Sequence, residues 1–484
     1  MRFQKLNILW LLLTTSIVVG FLSCKRTDKD RNKNKESGKP NFLFILIDDL
    51  GSQDLGCYGN NFIETPNIDN LAEQGIRWSN AYSSCPVSSP TRVAILTGKN
   101  QARVNFTGHI SAIRQHRHPE KSRILPPNDL MQIPKEEVIL PEALKPAGYK
   151  SISIGKWHVG GKGYWPTDMG FDENVAGWTH GSPPSHFYPY ENPDQPWNSS
   201  IPTLEGGEEG EYLTDRLTDE AIRFIEENKD QPFLVYLSHY AVHTPLQAPE
   251  ALVEKYKAKK EKTGNEIINP VYAAMVESVD INVGRLIEKL DEWDLSENTV
   301  VIFASDNGAL DKMGDKRVAD NRPYRSGKGH LYEGGLRVPY IMKWPGHIEP
   351  GSVSETLTQS EDIYATIVDI AGVKAHANTP IDGRSLVSDF TDEEKVELHW
   401  YYPHYSPHGN KPGATIRSGK WKLIEFYDPK QVELYNLQKD PGENNDLSEE
   451  VPWKFQELSG KLHQWLHGMN PIMHTMNPEY EKNE

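Results

Sequence analysis

The side chains able to do chemistry sit in short stretches that follow apolar runs. Asp48-Asp49 ends the run 41–47, Gly155-Lys156-Trp157-His158 follows 149–154, and His239 with His243-Thr244-Pro245 follows 232–237. Ser305-Asp306-Asn307-Gly308 follows 299–304. Asp48, Asp49, Asp306 and Asn307 offer only oxygen, a donor set that suits Ca²⁺ or Mg²⁺ better than Zn²⁺. A further stretch, Ser88-Ser89-Pro90-Thr91-Arg92 running to Thr97-Gly98, reads as a helix start. Pro90 takes a first helical position behind two serines able to cap, and Val93 to Leu96 give the helix an apolar body. Free N–H groups, a positive dipole end and Arg92 make this a place for an anion, with Ser88 just outside the helix to meet it. Singly, each feature has a plainer reading. An aspartate pair after a strand serves equally as a turn and cap, His243-Thr244-Pro245 as a cap, and Lys328 between Gly327 and Gly329 as a surface loop residue.

The elements that must position these groups are those of an α/β protein. Continuous apolar runs are strands covered on both faces, and in open α/β sheets the site lies beyond their carboxyl ends. Several runs delivering polar groups to one edge predict an enzyme. Helical stretches at 217–228 and 273–293 supply covering layers, and 363–371 reads as a further helix. Residues 177–198, rich in Pro, Tyr, Trp and His, form a long loop of the kind that binds ligands. The Lys/Glu run 254–262 is a solvated helix face. After Ile381-Asp382-Gly383-Arg384-Ser385-Leu386 the pattern changes to short strands at 397–402, 413–417, 421–426 and 432–436, with a closing helix over 452–466. The expected fold is α/β: a large mixed, mostly parallel sheet sandwiched by helices, with a smaller α+β C-terminal subdomain. Residues 40–390 form the catalytic domain and 391–484 the subdomain.

Composition bounds the partners. The 484 residues carry a net charge of −16, which argues against nucleic acid and leaves any anion to a local basic pocket. Arg2 and Lys5 precede an apolar run over 6–22, and Leu22-Ser23-Cys24 resembles a bacterial lipobox. Residues 1–24 then read as a lipoprotein signal peptide with Cys24 lipidated, and 25–39 as a charged, solvated tether. An uncleaved anchor is the alternative. The expected place is outside the cytoplasm of a bacterium, in the periplasm or on the cell surface, held to the membrane by lipid. Only Cys57 and Cys85 remain, too few for a disulfide framework.

Ser88-x-Pro90-Thr91-Arg92 with Thr97-Gly98 resembles the signature of the type I sulfatases, members of the alkaline-phosphatase superfamily. The resemblance implies that Ser88 is oxidised to formylglycine by an oxygen-independent maturase, its hydrate being the nucleophile. Cys85 lacks the spacing, because Val87 stands where Pro is required and Ser89 where Arg is. The resemblance also places Ca²⁺ on Asp48, Asp49, Asp306, Asn307 and residue 88. It puts Arg92, Lys156, His158, His243 and Lys328 in the catalytic set. In this scheme Arg92 and the ion acidify the hydrate, Lys156 and Lys328 stabilise the transferring group, His243 protonates the leaving oxygen, and His158 expels sulfate. The aromatic loop and the 399–405 run resemble sulfatases acting on carbohydrates, nearest to those that desulfate galactose or N-acetylgalactosamine, at O4. His180 and His404 are the candidate sugar contacts, against ordinary loop packing. Two rivals stay open: a phosphodiesterase or phosphonate hydrolase of the same superfamily, and a non-catalytic glycan-binding lipoprotein. The stretch 116–134 matches nothing in the family pattern.

Overall fold

Strand β1 (Asn41–Ile47) is buried along its whole length. Its pleat divides the side chains between two cores, Phe42, Phe44 and Leu46 on one face and Leu43, Ile45 and Ile47 on the other. This is why the run is apolar without alternation. The computed structural model describes residues 38–110, 118–373, 380–387 and 397–480. The expected signal segment with Cys24, nearly all of the expected tether and the expected boundary at 390 lie outside them.

The central sheet has eight strands. After β1 come β2 (Ile76–Trp78), β3 (Lys150–Gly155), β4 (Glu173–Val175) and β5 (Phe233–Ser238). They are followed by β6 (Thr299–Ser305), β7 (Tyr340–Lys343) and β8 (Ser352–Ser354). In space the order is β8-β2-β7-β6-β1-β5-β3-β4. Only β7 runs against its neighbours, so the sheet is mixed and mostly parallel, as the apolar runs predict. Register sets the level at which the central strands stop. Ile47 pairs with Ser305, Leu46 with Ser238, and Ser238 with Gly155, so β1, β6, β5 and β3 end together.

Helices α1 (Pro66–Glu73), α3 (Leu213–Asn228), α4 (Glu250–Thr263) and α5 (Pro270–Glu292) line one core. Helices α2 (Ser88–Thr97) and α6 (Asp362–Ile370) line the other. The start of α2 differs from the expectation. Ser88 is its first residue, not a residue outside it, and no side chain caps its N-terminus. The Ser88 hydroxyl is turned instead towards Asp48 and Asn307, just past the ends of β1 and β6.

The C-terminal part is an antiparallel meander of β9 (Glu397–Tyr402), β10 (Gly413–Ser418), β11 (Trp421–Tyr427) and β12 (Lys430–Asn436), followed by helix α7 (Pro452–Met469). One face of this sheet packs under α7 through Leu458 and Leu462. The other face, with Trp400, Tyr402, Ile424 and Phe426, packs on Tyr82, Cys85 and Val87, the approach to α2. Lys422, fully buried, joins the two parts by reaching Glu333 Oε1 (3.0 Å) and Glu443 Oε1 (2.9 Å). Cys85 is buried in this contact, as its type suggests.

Candidate active site

Chain reversal at the common strand level brings the polar stretches together. Asp48 and Asp49 leave β1, Lys156 and His158 leave β3, His243 follows β5, and Asp306 and Asn307 leave β6. Asp49 and His158 both adopt positive φ, 62° and 60°, a conformation uncommon outside glycine and held here by the packed surroundings. At the start of α2, Ser88 Oγ lies 3.1 Å from Asp48 Oδ1 and 3.3 Å from Asn307 Oδ1. Lys156 Nζ donates to Ser88 Oγ (3.0 Å) and to Asp48 Oδ2 (2.7 Å).

Each of the three carboxylates has its own cation. Asp48 pairs with Lys156, Asp49 with Lys328 Nζ at 2.8 Å, and Asp306 Oδ2 with Arg92, through Nε at 2.9 Å and Nη2 at 2.8 Å. Buried carboxylates are costly unless so matched. Burial, with Asp306 and Asp49 alongside, pushes Asp48 up to about 7 against the pull of Lys156. Burial also works against ionisation of Asp49 and Asp306, but their cations win: Lys328 and His243 hold Asp49 down, and Arg92 and Lys156 hold Asp306 down. Among the lysines, burial lowers Lys156. It opposes the charge on Lys328 too, yet Asp49 leaves that lysine above its ordinary value.

These donors fit a hard divalent cation. One carboxylate oxygen from each of Asp48, Asp49 and Asp306 lies within 4.8 Å of the others, all buried, and Asn307 adds an amide oxygen beside Ser88. No sulfur or imidazole belongs to this group, as expected of a calcium- or magnesium-type site. Arg92 is fully buried behind the carboxylates, where Nη1 also donates to the Lys156 carbonyl at 2.9 Å, and it does not line the cavity. It holds Asp306 and the β3 end in place.

Over Ser88 opens a cavity of about 500 Å³, lined by Asp49, Ser88, Lys156, His158, His243 and Lys328 at its floor. His243 Nδ1 is 2.8 Å from the Thr244 carbonyl, which can only accept, so Nδ1 carries the proton and Nε2 faces Asp49 at 3.7 Å. Burial, then Lys328, lowers its pKa to about 3. His158 is arranged the opposite way round. Its Nε2 meets the Ile110 carbonyl at 2.8 Å, while the buried Nδ1 has no hydrogen-bond partner. Burial and Lys156 hold this ring well below its ordinary value. Backbone of the 177–198 loop lies against the ring: a Cβ on Gly181 would come 2.3 Å from His158 Cε1.

His180 reaches the cavity wall, its ring 4.5 Å from that of Trp178, and Trp197 stands 61% exposed on the same wall. His404 does not line the cavity; its Nε2 lies 2.8 Å from Thr107 Oγ1. His186 is buried beneath His243 and reaches its carbonyl at 3.2 Å. His239 is also buried, away from the lining. His109, Leu310 and His408 line the cavity without having been singled out in the sequence; Leu310 follows the Ser305–Gly308 stretch by two residues but is an apolar side chain with no chemistry to announce it.

Residues 40–373 match the family described as "Sulfatase", and residues 326–471 match "N-sulphoglucosamine sulphohydrolase, C-terminal". The chain belongs to the sulfatase family. It is a hydrolase of sulfate esters. A protein named "Sulfatase" from Formosa agariphila is 32% identical over 96% of this chain and 94% of its own length. N-acetylgalactosamine-6-sulfatase of Homo sapiens is 34% identical over 75% of this chain and 68% of that one. Among solved structures, Ps i-CgsB in complex with k-i-k-neocarrahexaose is 28% identical, with a TM-score of 0.75 over 88% of this chain and 93% of that one. For this sulfatase the family match favours sulfate esters over the phosphodiester or phosphonate alternative.

Proposed function

We propose that the chain removes sulfate from a carbohydrate, most closely a galactose or N-acetylgalactosamine sulfate at O4, with residue 88 converted to formylglycine and Ca²⁺ as its ion. The observation that carries this reading is the placing of Ser88 Oγ among Lys156, Asp48 and Asn307 on the floor of a sugar-sized cavity. The relatives named for N-acetylgalactosamine and for a carrageenan-type oligosaccharide support a sugar as the ester's alcohol.

The hydrate of oxidised residue 88 would attack sulfur through one hydroxyl and, on losing the proton of the other, re-form the aldehyde and expel sulfate, an exit that ordinary serine lacks. Asp48, Asp49, Asp306 and Asn307 would hold the calcium ion, which when bound would supply Lewis acidity next to residue 88. Lys156 and Lys328 set two ammonium groups against the ester's anionic oxygens, in a site dry enough for them to count. His243 holds its exchangeable position, Nε2, towards the cavity, because Nδ1–H is fixed on Thr244. Negative charge from a bound ester favours the protonated ring, which can then hand its proton to the departing sugar oxygen. His158 offers the bare Nδ1 as a base for the second half of the cycle. Trp197 offers a ring for a sugar face.

A matured, lipid-anchored, surface or periplasmic enzyme in a bacterium, served by an oxygen-independent maturase, completes the reading. Sulfate released from defined sulfated mono- and disaccharides tests it. Turnover of phosphate esters with every sulfated galactose and N-acetylgalactosamine left untouched would sink it. Excess EGTA should abolish most activity and added Ca²⁺ restore it, whereas restoration by Mg²⁺ alone would remove calcium from the proposal.

A further inference from the structure

The loop over 107–110 meets His158 at the Ile110 carbonyl, and that loop is held from two sides. On the first, Ile110 N–H donates to Ser89 Oγ at 3.1 Å, while the Ile110 carbonyl receives His158 Nε2–H at 2.8 Å. Ser89 is the fully buried neighbour of Ser88 on α2. On the second side stands Asp129, 7% exposed, in the stretch that resembles nothing in the family pattern. Its Oδ2 accepts from Thr107 N–H and Gly108 N–H, both at 2.8 Å, and from Thr107 Oγ1 at 3.2 Å. His404 closes the group, with Nε2 2.8 Å from Thr107 Oγ1 and 3.8 Å from Asp129 Oδ2. A carboxylate taking two backbone N–H groups makes charge-assisted bonds, about twice as strong as neutral ones, and so fixes the path of the chain.

We infer that Asp129 is a positioning residue for His158: by pinning residues 107 and 108 it aims the Ile110 carbonyl, and that carbonyl keeps the proton of His158 on Nε2. The consequence falls on Nδ1. A ring with one N–H fixed on a carbonyl must present the other nitrogen bare, ready to accept a proton. With the loop released, the two neutral tautomers compete, and the ring spends part of its time with Nδ1 protonated and useless as a base. His404 belongs to this support and not to the sugar. The inference rests on the role given to His158 under the proposed function, but its first readout needs no turnover.

The test uses the full chain with ¹⁵N-labelled histidine rings, the His158 signals being assigned by difference against His158→Ala. The wild-type ring should show a protonated Nε2 and an unprotonated Nδ1. In Asp129→Ala the two ring nitrogens should move towards a common averaged shift, and kcat should fall by about tenfold or more with KM little changed, since the base and not the binding is affected. Asp129→Asn, which keeps an acceptor of the same shape, should recover part of both. A wild-type ring protonated on Nδ1 would overturn the inference, and so would an Asp129→Ala enzyme with unchanged tautomer and kcat. If Asp129→Ala does not fold, the wild-type spectrum and Asp129→Asn decide by the same criteria. Wild-type protein inactive on every sulfate ester would instead count against the proposed function, with the tautomer reading left standing.

Discussion

His158 and His243 show how neighbours choose the working nitrogen of an imidazole. One ring is fixed by the Ile110 carbonyl on Nε2, the other by the Thr244 carbonyl on Nδ1, so opposite nitrogens are left without a proton. No sequence pattern announces this, because both partners are backbone atoms. Substituting Ser88→Ala should cut sulfate release at least about a thousandfold, the size of effect seen when an enzyme's nucleophile is removed. Intact mass of the peptide carrying residue 88 should separately report the loss of two hydrogens in the matured wild type. His239 makes a second prediction. Burial lowers its pKa from 6.5 to about 3, so between those values the unfolded chain takes up a proton that the native ring refuses. Stability therefore falls as pH drops through this window, by up to about 1.4 kcal/mol per pH unit for each such ring. His239→Gln should flatten the slope of unfolding free energy against pH between 6.5 and 4 by close to one proton, measured by urea unfolding. An unchanged slope would mean that the ring titrates in the folded protein.

Strand and helix tips do the positioning, and they were the most legible part of the chain. The runs 41–47, 149–154, 232–237 and 299–304 match β1, β3, β5 and β6 within a residue or so, because a strand buried on both faces has to be apolar throughout. The short strands β2, β7 and β8 on one side of the sheet and β4 at its other edge were not legible; three or four residues carry no period to read. The start of α2 was misplaced by capping logic, since Ser88 and Ser89 have the right residue types but spend their hydroxyls on the site and on Ile110. Asp129 was equally hidden, and His404 was singled out only as a candidate sugar contact, its partner Thr107 lying 297 residues away. At this scale Gly181 is the sensitive point of the 177–198 loop. Its backbone lies where a Cβ would overlap the His158 ring, so Gly181→Ala should push the imidazole aside. A displacement of about 1 Å costs on the order of a hundredfold in rate, and kcat should fall accordingly while the thermal midpoint moves little. Full activity in that variant would show that the loop yields instead.

On the scale of the molecule, two sheets meet at the approach to α2. The C-terminal sheet covers Tyr82, Cys85 and Val87, and the buried Lys422 spans Glu333 and Glu443 across the junction. Burial, beside Glu333, already pushes Glu443 up to about 7 despite Lys422. Removing the lysine leaves two buried carboxylates without it, so Lys422→Met should destabilise the protein by about 3–5 kcal/mol in denaturant unfolding. A loss under about 1 kcal/mol would mean that Arg337 and Arg417, 3.5 and 3.8 Å from Glu333, suffice as counter-charges. The same junction sets a timetable. Ser88 is 3% exposed, with the cavity floor before it and a second sheet packed on the residues just ahead of it. Under the proposed function a second enzyme has to oxidise this side chain; it would find no handle on the finished protein, so its opportunity would close when the last strands of the chain dock.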